Sequence, residues 1–201
     1  MTGPADPAPP PGEQPATLAV IDMQRVFADR DSPWLVPRFA EVVGPIQRLV
    51  AAYRPRVIFT RFVAPAVPAG AWRRYYEVWP FALQPPDARI YELVDEFADE
   101  PGPTLDATTF GKVGDQLSMM VANGRLLLAG VSTDCCVLST ALAAADDGVE
   151  VQVVADACAG LNDETHAKAL DIMRLYSPLV EVVSLAEAIG QAAGSGAALP
   201  S

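Results

Sequence analysis

Short apolar-rich runs recur along the chain at Leu18 to Ile21, Val57 to Phe59, Leu126 to Leu128, Val151 to Val154 and Val180 to Val183. Strands that are apolar with little alternation belong to a sheet covered on both faces. Between them the apolar positions change to helical spacing: Phe39, Val42, Val43, Ile46, Leu49 and Val50; Leu117, Met120 and Val121; Val137, Thr140, Ala141 and Ala144; Ala169, Ile172, Met173 and Tyr176. Thr104 to Phe110 reads as a sixth, weaker strand. Strand and helix alternating in this way predict βαβ units with right-handed crossovers, hence an α/β three-layer sandwich around a six-stranded parallel sheet. A Rossmann-like order, 3-2-1-4-5-6, is the expected arrangement. Val63 to Pro103, rich in proline and aromatic residues, is the least regular stretch; it is expected to wrap the sheet as a loop and short helix before one regular helix from about Ile90 to Phe97.

No internal repeat or linker divides the core, and 201 residues suit one domain. The reading is a domain over 16–193 flanked by tails, a disordered proline-rich one at 1–15 and another at 194–201. The net charge of −11, from 14 basic and 25 acidic residues, speaks against nucleic acid or an anionic membrane as partner. Three cysteines, two of them adjacent, do not make a disulfide framework, and the N-terminus has no basic, apolar leader pattern. A cytoplasmic protein acting on a small molecule is the expectation.

Two places carry chemistry. Arg125 to Ala129 breaks at Gly130-Val131-Ser132-Thr133-Asp134 and delivers Cys135-Cys136 to the start of an alanine-rich helix. Unpaired N–H groups at a helix start favour thiolate over thiol, the property a nucleophile needs. The other is Ile21-Asp22-Met23-Gln24, where the first strand ends in a carboxylate. In open α/β sheets the ligand crevice lies beyond the carboxyl ends of the strands, where the order reverses. With the expected order, Asp22 and Cys136 converge there.

These residues, Asp22-Met23-Gln24 with Phe27, Gly130 to Val137 and Val154-Ala155-Asp156-Ala157, resemble the isochorismatase-like cysteine hydrolase family, which includes nicotinamidases and N-carbamoylsarcosine amidases. The resemblance covers roughly residues 17 to 185. It implies an Asp, Lys and Cys triad, with Cys136 as nucleophile and Asp22 as the base that takes the thiol proton. Of the chain's two lysines, Lys112 and Lys168, the first follows the third strand and is assigned to the triad. The resemblance further implies a cis peptide at Val131-Ser132 and an oxyanion hole from the backbone N–H groups of Ser132 and Cys136. Cys135 and Cys158 are read as packing residues.

Where related nicotinamidases carry metal-binding histidines, this chain has Thr60-Arg61-Phe62-Val63-Ala64-Pro65, so neither metal nor other cofactor is expected. His166, the single histidine, is read as capping or packing. Phe27, Trp34, Arg61, Trp72, Tyr75, Tyr76 and Trp79 lie on loops facing the crevice; the aromatics are candidates to stack on substrate and Arg61 to pair with a carboxylate. Family members assemble as dimers or tetramers, so a homodimer or homotetramer is implied. The expected activity is metal-independent hydrolysis of a small amide, ureido or carbamoyl compound through a thioester. Two alternatives stand: an isochorismatase-type vinyl-ether hydrolase using Asp22 without the thiol, and a catalytically silent binding protein.

Overall fold

The structure, a computed structural model, describes residues 16–121 and 124–196. The expected proline-rich tail at 1–15 lies outside them. A six-stranded parallel sheet runs in the order β3-β2-β1-β4-β5-β6, formed by β1 (Ala16–Ile21), β2 (Val57–Phe62), β3 (Thr104–Ala107), β4 (Arg125–Val131), β5 (Glu150–Ala159) and β6 (Val180–Val183). The central strands β1 and β4 are buried along nearly their whole length, as their unbroken apolar runs require.

Successive side chains of these strands feed two cores. Leu18, Val20, Leu127 and Ala129 face one side, where the one-turn α1 (Arg25–Ala28) buries Val26 and Phe27 and α2 (Phe39–Tyr53) contributes Phe39, Val42, Ile46, Leu49 and Val50 at helical spacing. The Tyr53 hydroxyl donates to the Ala188 carbonyl at 2.8 Å, fastening α2 to α8 (Leu185–Gly196). Ala19, Ile21, Leu126 and Leu128 face the other core, built with α5 (Asp115–Val121), α6 (Leu138–Asp146) and α7 (Asp163–Arg174). The small residues Ala141, Ala144 and Ala145 let α6 lie close on the sheet. Asn162 starts α7 with a capping box, its side chain accepting from the Thr165 N–H at 2.9 Å.

The irregular stretch differs from its expected form. It holds α3 (Trp72–Val78) and a 3₁₀ turn at Pro80–Ala82, then a second 3₁₀ turn at Arg89–Tyr91 and the one-turn α4 (Asp95–Ala98) in place of a regular helix over 90–97. Tyr91 and Phe97 are both buried, and they are seated by separate turns because the intervening chain bridges to the segment just after β1, Leu93 pairing with Gln24. The third strand ends at Ala107 rather than Phe110, and α8 extends to Gly196, into the stretch expected to be a tail. No helix among the described residues is long and apolar enough to cross a membrane.

One backbone contact sets how the two site-bearing strands meet. Gly130 pairs with Ile21 across β1 and β4 at φ +119°, and a Cβ there would fall 2.1 Å from the Ile21 carbonyl oxygen. Only glycine fits. Gly130→Ala is therefore expected to cost about 3 kcal/mol or more, read as a lowered urea midpoint; an unchanged midpoint would show that the strands can part without penalty.

Candidate active site

Asp22 stands immediately after β1 with φ +50°, a left-handed conformation uncommon for a residue with a side chain. The turn aims its carboxylate inward, to full burial. Thr60, on neighbouring β2, donates its hydroxyl to Asp22 Oδ1 at 2.8 Å and accepts the Asp22 N–H at 3.2 Å. Asp22 Oδ2 has the Lys112 ammonium at 2.8 Å, and the two side chains are 0 % and 1 % exposed. Lys112 arrives from the connection after β3. Its ammonium also donates to the Thr109 carbonyl at 3.1 Å and lies 5.3 Å from the centre of the Phe62 ring. A buried charge pair needs such additional partners, because neither ion retains water.

Cys136 lies in a single π-type turn, Thr133–Val137, that leads into α6, and the peptide between Val131 and Ser132 is cis. Its thiol is buried beside the Asp22–Lys112 pair and feels the charge of both. Burial and the negative Asp22 push this thiol well up, while Lys112 pulls it down without prevailing. This corrects the expectation of a helix-stabilised thiolate: desolvation outweighs the helix field, and the resting group is a neutral thiol beside a carboxylate. Asp22, Lys112 and Cys136, predicted to share one dry cleft, do meet there.

Three supporting residues had no role assigned to them from the sequence. Thr140, one turn beyond Cys136, donates to the Cys136 carbonyl at 2.6 Å and accepts the Lys112 backbone N–H at 3.1 Å, clipping the lysine segment to the cysteine helix. Gln24 accepts the Phe62 N–H at 2.8 Å and donates to the Phe62 and Tyr91 carbonyls at 3.1 and 2.8 Å, joining the end of β1 to β2 and the loop. Asp134 accepts from the Ser132 and Thr165 hydroxyls and from the Leu161 N–H at 3.0 Å, tying the cysteine turn to the start of α7. Burial alone would raise the Asp134 carboxyl; hydrogen bonds from Ser132, Thr165 and Leu161 outweigh it and hold the group below its ordinary value. An Asp-Cys-Cys string does not announce Leu161 and Thr165, which lie 27 and 31 residues away in sequence.

A cavity of about 280 Å³ opens above the thiol. Phe27, Trp34, Phe62, Tyr75, Trp79 and Phe110 wall it, and Ser132, Asp134, Cys135 and Cys136 lie at its base. Trp34 is the hub, with ring centres 6.1 Å from Phe27, 5.9 Å from Tyr75 and 6.1 Å from Trp79. Three expectations are corrected. Trp72 packs against Tyr75 and Phe110 without lining the cavity. Arg61 points elsewhere, its guanidinium held by both Asp106 oxygens at 2.7 Å. Cys135, read as buried, is exposed and lines the cavity. Cys158 is buried, its thiol pushed up to about 12 by desolvation, and His166 Nδ1 lies 2.9 Å from the Thr133 hydroxyl. Among the described residues no three His, Cys, Asp or Glu side chains gather as a metal site.

Residues 16–187 match the Isochorismatase domain family. An isochorismatase domain-containing protein 2 from Xenopus laevis is 36% identical over 163 residues, 81% of this chain and 69% of that protein. A cysteine hydrolase from Pseudomonas syringae pv. phaseolicola superposes with a TM-score of 0.79 at 20% identity, covering 97% of this chain and 100% of the other. An N-carbamoylsarcosine amidase from Thermoplasma acidophilum superposes with a TM-score of 0.68 at 22% identity, covering 85% and 96%.

Removing one member of the buried pair strands the other. Lys112→Met is expected to lose about 3–5 kcal/mol, and Asp22→Asn combined with Lys112→Met to recover most of it, both read by urea denaturation; equal loss in the double variant would deny the coupling. Asp134 is tested by acid. Its folded-state carboxyl lies below the unfolded value of about 3.9, so its contribution is complete above that value and fades as pH falls through the folded one. Asp134→Asn is accordingly expected to be less stable at neutral pH and to lose less stability than the parent between about pH 4 and 2.

Proposed function

The chain belongs to the isochorismatase family, whose members are hydrolases, and on that premise we propose that it is a cysteine amidohydrolase cleaving a small amide, ureido or carbamoyl compound through a thioester. One observation carries this reading. A thiol, a carboxylate and an ammonium meet, all three buried and the last two 2.8 Å apart, at the base of a cavity that Cys136 lines and Asp22 and Lys112 do not.

The chemistry follows from the neutral resting thiol. With a substrate carbonyl carbon over Cys136 Sγ, Asp22 takes the thiol proton as the S–C bond forms, so thiolate arises only where it is consumed. Lys112 holds Asp22 in place and offsets the negative charge as it passes between oxygen and sulfur. The carbonyl oxygen, now anionic, turns to the backbone N–H groups of Ser132 and Cys136. Asp22 returns its proton to the leaving nitrogen, the C–N bond breaks, and an acyl or carbamoyl thioester remains. Water deprotonated by Asp22 then attacks the thioester carbon, releasing acid and regenerating the Cys136 thiol. The thiol-free vinyl-ether reading leaves the placement of Cys136 against Asp22 without a role.

Cys136→Ser is expected to lower turnover of any substrate by about 10³-fold or more, and intact-mass spectrometry of the parent after brief exposure to small amides and carbamoyl compounds to show an adduct missing from the variant. Full turnover in Cys136→Ser would sink the nucleophile. Asp22→Asn separates base from structural partner. Without the negative neighbour, and with Lys112 as its remaining charge, the thiol is lowered. Alkylation by iodoacetamide at pH 7 is then expected to quicken while turnover drops by about 10²–10⁴-fold. Both falling together would remove Asp22 from the proton path.

A further inference from the structure

Besides Asp134, a second side chain of the turn that carries Cys136 reaches α7. Thr133, the first residue of that turn, is fully buried, and its hydroxyl lies 2.9 Å from His166 Nδ1. Among the described residues that is the one hydrogen bond the hydroxyl makes. The two anchors pack together at Gly160, where a Cβ would fall 3.2 Å from both Asp134 Oδ2 and His166 Cβ. Neither Thr133 nor His166 lines the cavity above the thiol. His166 instead borders a separate hollow of about 240 Å³ with Arg38, Glu41, Asp156 and Cys158, so a proton can reach its half-buried ring from a side other than the substrate cavity.

The direction of the bond follows from burial. A hydroxyl shut away from water must give its proton to an acceptor or lose a hydrogen bond outright. His166 Nδ1 is the acceptor within reach, so Thr133 donates, Nδ1 is bare and the neutral ring carries its proton on Nε2. Protonating His166 puts an N–H at Nδ1. The Thr133 hydroxyl can then only accept, its own proton is left without a partner in a fully buried place, and the turn loses an anchor. Charges around the ring are mixed. Arg38 from the start of α2 and Arg174 from α7 oppose a positive imidazole, Asp134 from the turn and Asp163 from α7 favour it, and Glu41, Asp156 and Cys158 face it across the hollow. Burial, the largest influence, joins the arginines and holds the imidazole below its ordinary value, so the ring is neutral at pH 7 and charges only in more acid solution.

What this anchor holds is the segment that places the thiol. The N–H groups of Cys135 and Val137 both donate to the Ser132 carbonyl at 3.1 Å, closing the turn around Thr133. We propose that His166 is a positioning residue for Cys136: neutral, it accepts the Thr133 hydroxyl and locks the Thr133–Val137 turn in its reactive form, and its protonation releases that lock. The inference rests on Cys136 being the nucleophile. It makes reactivity sensitive to acid through a group that touches neither substrate nor the Asp22–Lys112 pair.

The test compares the parent with His166→Asn between about pH 5 and 7.5. The asparagine amide oxygen stands in for Nδ1 as acceptor and does not titrate. As the chain's single histidine, His166 reports its own midpoint through the NMR signals of its ring protons. Two rates are followed: hydrogen exchange of the Cys135 and Val137 amides, corrected for its intrinsic pH dependence, and acylation by 4-nitrophenyl acetate, read by mass with the modified cysteine located by fragmentation. Relative to His166→Asn, exchange in the parent is expected to quicken and acylation of Cys136 to slow, each at least ~5-fold, as pH falls through the His166 midpoint. Asp134 adds no step there, because its carboxyl titrates below the ordinary range, and neither does Cys158, whose thiol is pushed up to about 12. Thr133→Val, which keeps the shape of the side chain without its hydroxyl, is expected to exchange at neutral pH as fast as the acidified parent. Parallel profiles in the parent and His166→Asn, or parent-like exchange in Thr133→Val, overturn the proposal. An exchange step with no acylation of Cys136 at any pH upholds the lock and defeats the nucleophile reading, while acylation without either step does the reverse.

Discussion

The Asp22–Lys112 ion pair is the interaction around which this end of the sheet is organised. Each ion gives up its water, at a cost of several kcal/mol even after relaxation, so neither is tolerable alone. Compensation comes from separate pieces of chain: Thr60 on β2 for the carboxylate, the Thr109 carbonyl and the Phe62 ring face for the ammonium. β1, β2 and the segment after β3 must all be docked before the charges are satisfied. Thr140 adds α6 to that assembly by holding the Lys112 backbone and the Cys136 carbonyl on one hydroxyl. The position of the thiol is thus a consequence of how the pair is solvated by protein.

Magnitudes decide the state of that thiol. A helix start offers a nearby negative charge about 0.3–1 kcal/mol, rising to about 2 in buried geometry. Desolvation of a fully buried group is worth up to about 3–5 pKa units, several times as much. Cys136 is buried and has a carboxylate beside it, so the larger effect sets the direction and Lys112 only moderates it. A preformed thiolate is traded for a thiol whose proton has a defined acceptor. Under the proposed mechanism, such a site would hold its charge within the Asp22–Lys112 pair until substrate arrives, and the negative charge would move to sulfur only as the new bond forms.

What could be read from the residues followed from local pattern and topology. Buried strands declared themselves by unbroken apolar runs, and the order that makes β1 and β4 neighbours sufficed to bring Asp22 toward Cys136. Family resemblance then supplied the lysine. Contacts between side chains distant in sequence were harder to see. Arg61 and Asp106 sit opposite each other across β2 and β3, a register that no single-strand pattern contains. Thr140 looked like one more small residue on an apolar helix face because its hydroxyl partners belong to another segment. The region from 90 to 97 showed helical spacing, yet the pairing of Leu93 with Gln24 pulled it apart into two turns. Tertiary hydrogen bonding overrode local propensity there.

The charged trio and the aromatic walls come from different parts of the chain, and the division has a physical basis. The charged trio demands exact depth and dryness, so it hangs from strand ends and a helix start fixed by the sheet. Ring stacking tolerates small shifts, so it can be entrusted to the loops that bring Trp34, Tyr75 and Trp79 over the crevice. Those rings hold one another through Trp34, which also meets Phe62 edge-on, and Lys112 rests against Phe62. Phe62 therefore belongs to both halves: its backbone is clamped by Gln24, its ring borders the cavity, and its face receives the catalytic candidate's ammonium. Changes in the loops can reshape the aromatic walls without touching the Asp22–Lys112 pair, but a change at Phe62 must alter both, because the same ring lies against the ammonium and borders the cavity.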